Sequence, residues 1–163
     1  MELKKLIDEI AVQTALLNEL LLVLERETAE MGEVNIAAMT LSNQTKEELI
    51  GRIAEHSPHI QQAVTRLAAR EGLAGTASLG TVAEHVAKRG NRDVLAKQQQ
   101  IRATAERVQQ VAALNREIAE RFSASVTSSL NLITRLINQS NVYGASGGYQ
   151  VRPTGAVMIN REA

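Results

Sequence analysis

The sequence predicts an all-α protein, an elongated antiparallel helical bundle with a long C-terminal helix and a flexible tail. Three observations carry that expectation. Apolar residues recur at alternating steps of four and three over long stretches, which holds them on one side of a helix. Only two prolines, Pro58 and Pro153, interrupt 163 residues, so most of the chain is free to be helical. Aromatic residues are nearly absent, namely Phe122, Tyr143 and Tyr149 with no Trp, and a core of Leu, Ile, Val and Ala suits packed helices. At this length a single bundle domain is expected over residues 1–141, followed by a Gly-rich tail over 142–163.

In the first helix Leu3, Ile7, Ile10, Thr14, Leu17, Leu21, Leu24, Thr28 and Met31 make an unbroken repeat. Leu6, Leu16, Leu20 and Val23 widen it to a face broad enough for two neighbours. Thr14 and Thr28 read as mild interruptions with no further role. Gly32 fits a stop and Asn35 an N-cap for a second helix running to about His56, with Ile36, Met39, Leu49, Ile50 and Ile53 as its core. Ser57-Pro58 fits a fresh start better than a kink, Ser capping and Pro at the first helical position. A third helix then carries Ile60, Val64 and Leu67 to Gly72. GLAGTASLG (72–80) reads as a loop, and 81–88 as a short helix stopped by Gly90. Asn91 can cap the last helix.

That last helix, about 92–139, has two surfaces. Ile101, Ala105, Val108, Ala112, Asn115, Ala119, Phe122, Val126, Ser129, Ile133 and Leu136 form its stripe. Asn115 interrupts it as a polar residue that fixes register would. Up to Arg121 the opposite side is charged. From Ser123 to Asn141 the only charge is Arg135, while Val126, Leu130, Leu132, Ile133, Leu136 and Ile137 keep the other side apolar. A helix end of this kind suits burial against another chain. At roughly 1.5 Å per residue the first helix spans about 44 Å and the last about 70 Å. Pairing of its basic half with the first helix would leave 123–139 overhanging. The charges favour that pairing: residues 1–50 hold 4 basic and 10 acidic side chains, and residues 88–121 hold 8 basic and 4 acidic.

Composition argues against several functions. There is no Cys, so disulfides and thiolate sites drop out. No run of about 18 apolar residues could cross a membrane, and MELKKLIDEI is not a secretory signal, so a cytoplasmic location is expected. The basic half lacks a Lys/Arg cluster and interleaved aromatics, so nucleic-acid binding is not expected. His56-x-x-His59 has ligand spacing, but a helix break at Ser57-Pro58 would misalign the pair, and no metal site is expected. Glu-x-x-His, the di-iron signature, does not occur. Glu25/Glu27 and Glu47/Glu48 point apart on a helix and read as solvated surface. No phosphate loop and no activated serine appear. The expectation is a binding protein with no catalytic residues and no cofactor.

LNELLLVLERETAEMG (17–32), LSNQTKEELI (41–50), AALNREIAERF (112–122) and VYGASGG (142–148) together resemble the FlgN family of flagellar export chaperones. These are similar to the family's Leu-rich helix ending in Glu-x-Glu, its Lys-bearing second helix (here Lys46), its Asn-containing helix and its Tyr-Gly ending. The resemblance implies a helical cytoplasmic chaperone. It would hold hook-associated (hook–filament junction) proteins through its C-terminal helix, prevent their premature assembly and deliver them to the export gate. Val126, Leu130, Ile133, Leu136 and Ile137 would then bind cargo, and Tyr143 matches a tyrosine implied to dock on the gate. The chain departs from the family in being neutral where many export chaperones are acidic. The competing expectation is a structural coiled-coil protein that buries the same stripe in its own homodimer. A chemoreceptor-like coil fails because Pro58 and the 72–80 loop interrupt any long heptad run.

Overall fold

The computed structural model describes residues 1–140, with side chains through residue 137. Among the described residues four helices follow one another: α1 Glu2–Gly32, α2 Ile36–Arg70, α3 Leu79–Lys88 and α4 Arg92–Ser140. There is no strand among the described residues. The chain divides into two compact units, Met1–Ala119 and a second that begins at Glu120.

In the first unit α1 and α2 are an antiparallel pair. Partners on α2 fall in number as those on α1 rise: Glu9 meets His56, Glu19 meets Arg52, and Glu27 meets Lys46. The first part of α4 runs in the same direction as α1, since Val94 packs with Leu6 and Ile10 while Val111 packs with Leu20 and Leu24. Two apolar clusters result. One joins Leu6 and Ile10 of α1, Ala63, Val64, Leu67 and Ala68 of α2, Val82, Ala83 and Val86 of α3, and Val94 of α4. The other joins Leu20, Val23 and Leu24 to Leu49 and Val111. Arg107 of α4 reaches Glu25 of α1 at 3.5 Å, the charge complementarity of the two segments. Both side chains are exposed, so that pair adds well under about 1 kcal/mol; burial of the aliphatic clusters holds the unit together.

The structure corrects the reading of Ser57-Pro58. α2 is a single helix from Ile36 to Arg70 with Pro58 inside it. An interior proline removes one backbone bond and crowds the preceding turn, at a cost of about 3 kcal/mol. Here α2 is anchored on both sides of it, by Leu49 in one cluster and Val64 and Leu67 in the other. The Ser57 hydroxyl, expected as a cap, instead donates back to the Ile53 carbonyl at 2.8 Å. Local capping chemistry thus yields to packing along the whole helix.

The remaining findings concern ends and faces, and the first bears out the expected cap. Asn35 caps α2, its Oδ1 accepting from the Ala38 N–H at 3.1 Å. Gly32 is the last residue of α1, but the left-handed residue of that turn is Val34, at φ +55°. α3 starts at Leu79, two residues earlier than expected, because Ser78 accepts from the Thr81 N–H. Gly90, at φ +101°, turns the chain into α4. Ile36 and Ile50, expected in the core, are exposed.

Candidate functional site

α4 changes character along its length. Within the first unit it contributes buried Val94, Val111 and Asn115, with Ile101, Val108 and Ile118 half-buried. From 119 to 137 every residue is exposed. This stretch carries Phe122, Val126, Leu130, Leu132, Ile133, Leu136 and Ile137, each between 42% and 60% exposed. Val126, Leu130, Ile133 and Ile137 succeed one another at steps of four, three and four, so they share one side of the helix, with Leu136 beside them. Exposed large apolar side chains at this density mark interaction surfaces more often than isolated ones do.

Two of the flanking hydroxyls are satisfied within the helix itself. Ser129 donates to the Ser125 carbonyl at 3.0 Å and Thr134 to the Leu130 carbonyl at 2.9 Å. Hydroxyls folded back on their own helix are less costly to remove from water than free ones. Among residues 123–137 Arg135 carries the only charge. The surface is chemically suited to an amphipathic partner helix, which would lay its apolar face along these side chains. Tyr143, the residue matched to gate docking, lies outside the described residues.

Two polar clusters in the first unit are where the sequence reading fell short. Asn115 is buried and donates through Nδ2 to the Leu24 carbonyl at 2.8 Å and to Glu27 Oε2 at 2.9 Å. Its Oδ1 accepts from the Thr28 hydroxyl, and Glu27 is held by Lys46 at 2.6 Å. Glu27 was expected on the surface and Thr28 to be idle; both belong to this network, which ties α1, α2 and α4 in one register. The signal was present: Leu6, Gln13, Leu20 and Glu27 stand at successive steps of seven, which places Gln13 and Glu27 on the packed face. Glu25 keeps its surface position.

The second cluster lies where α2 carries Pro58. His56 Nε2 is 2.9 Å from Glu9 Oε2, and His56 Nδ1 is 2.7 Å from Gln13 Oε1. Because α2 does not break, His56 and His59 stand one turn apart on the same helix, their ring centroids separated by 5.4 Å. No helix among the described residues is long and apolar enough to cross a membrane.

A family model described as FlgN protein matches residues 1–150, and so covers both the packed unit and the exposed part of α4. No curated protein and no solved structure matches the chain significantly.

Proposed function

The chain belongs to the FlgN family of flagellar export chaperones, and we propose that it holds hook–filament junction proteins through the apolar face of α4 between Val126 and Ile137. The family's chaperones bind flagellar export substrates in general; the particular cargo, the site and the route of delivery are our reading. The observation that carries it is the continuous exposure of 119–137 despite its large aliphatic side chains. Val126, Leu130, Ile133, Leu136 and Ile137 would accept a cargo helix. Covering them at about 25 cal/mol per Å² supplies several kcal/mol gross, before the cost of ordering the cargo. The chaperone acts stoichiometrically in the cytoplasm and keeps the cargo's assembly surface occupied until export. No catalytic residue or cofactor enters this mechanism. Tyr143 is the proposed contact to the export gate.

The test is capture of purified hook–filament junction proteins by the full chain, by a truncation after Arg121, and by Tyr143→Ala. The reading expects capture by the full chain and by Tyr143→Ala, and none by the truncation, with all three remaining helical. Equal capture by the truncation removes the site from α4. A full chain that captures only itself, dimerising through Ile133, supports the coiled-coil alternative instead.

A further inference from the structure

Glu9, His56 and His59 each offer a ligand atom, and these atoms lie within 4.8 Å of one another. We infer that they form a zinc(II) site that staples α1 to α2 beside Pro58.

The argument begins with Gln13. Its Nε2 donates to the Ile53 carbonyl at 3.3 Å, and a carbonyl can only accept, so the amide is oriented with Oε1 toward His56. That oxygen, 2.7 Å from Nδ1, can likewise only accept, so Nδ1 carries a proton. An imidazole whose second nitrogen is tied to a fixed, buried acceptor has the orientation typical of a metal-ligating histidine. Nε2 is then directed at the Glu9 carboxylate, 2.9 Å away. Two acceptors face one ring, and a neutral imidazole has one N–H. A cation at Nε2, either a second proton or a metal, satisfies both sides.

His59 decides in favour of a metal. It follows His56 by three residues on an unbroken helix and comes within reach of the same carboxylate. Two imidazoles and one carboxylate, with a remaining position for water, form a donor set that zinc takes. Ligand atoms around tetrahedral zinc stand about 3.3 Å apart, so the Glu9–His56 pair, at 2.9 Å, opens slightly while the widest separation in the cluster closes. His59 is exposed and can swing, whereas Glu9 and His56 are half-buried and already in contact.

The experiment is calorimetric titration of the untagged full chain with zinc chloride, beside His59→Ala and Glu9→Gln, with thermal unfolding recorded with and without zinc. Cobalt(II) serves as the optical probe of nitrogen ligation. The expected result is one zinc per chain, a higher unfolding temperature in zinc, and a visible cobalt band. Each variant should bind roughly tenfold more weakly or worse while unfolding normally without metal. His59 lies outside the core, so its loss cannot act through misfolding. No binding by the wild-type chain overturns the inference. So does wild-type affinity in either variant, which would place the metal elsewhere, for instance at His85 and Glu71.

Discussion

The two stretches of α4 use the same periodic sequence for opposite ends. Between 92 and 118 the stripe meets α1, α2 and α3, so Val94 and Val111 are buried and Asn115 finds three partners. Between 119 and 137 the stripe is at least as apolar, yet every residue is exposed. Periodicity therefore identifies a face that wants cover without saying what covers it. What separates the stretches in sequence is the other side: charged in the first and through Arg121, and from Ser123 to Ile137 built of Ser, Thr and Asn with Arg135 as its single charge. A charged back keeps a helix partly in water, whereas an uncharged one lets a partner approach from several directions.

The comparison breaks if substitutions in the two stretches have similar consequences for folding. The largest effect is expected in the packed unit: Leu67→Ala should lower stability by about 2–5 kcal/mol, read by denaturant unfolding. Leu67 is only 2% exposed and sits among residues of all four helices. Next comes Lys46→Met, which leaves the Glu27 carboxylate without its cation and should cost about 3 kcal/mol. Adding Glu27→Gln should recover part of that loss, because the amide still accepts from Asn115 without burying a charge. A double substitution no better than Lys46→Met alone would mean that lysine packing, not charge, holds the network. Val34→Gly should stabilise by up to about 1 kcal/mol, since a β-branched residue in the left-handed region is strained by about 1–2 kcal/mol and glycine returns part of that gain as unfolded-chain freedom. Ile133→Asp, in the exposed stretch, should change stability by less than about 0.5 kcal/mol.

Most of the fold is legible in the sequence, because helix periodicity and caps are local. The α1 face, the Asn35 cap, the loop before α3 and the long α4 follow from residues a few positions apart. Pro58 is not legible in that way. Ser-Pro carries a helix-start signature, and only the packing of Leu49, Val64 and Leu67 on either side keeps α2 in one piece. The same continuity aligns His56 with His59, so one misjudged boundary also hides the Glu9 cluster. Glu27 illustrates a different limit. A carboxylate reads as surface until its partners are known, and Lys46 and Asn115 come from helices 19 and 88 residues away in sequence. The apolar run from Val126 to Ile137 is legible because its chemistry is local, and its exposure is what the structure adds.

The most direct test of the central claim is the affinity of a purified hook–filament junction protein for the wild-type chain and for Ile133→Asp, measured by calorimetry with thermal unfolding recorded alongside. A loss of about 2 kcal/mol or more, roughly thirtyfold in affinity, at an unchanged unfolding temperature is predicted. Equal affinities, or a variant that unfolds, would contradict the assignment of cargo binding to this exposed face.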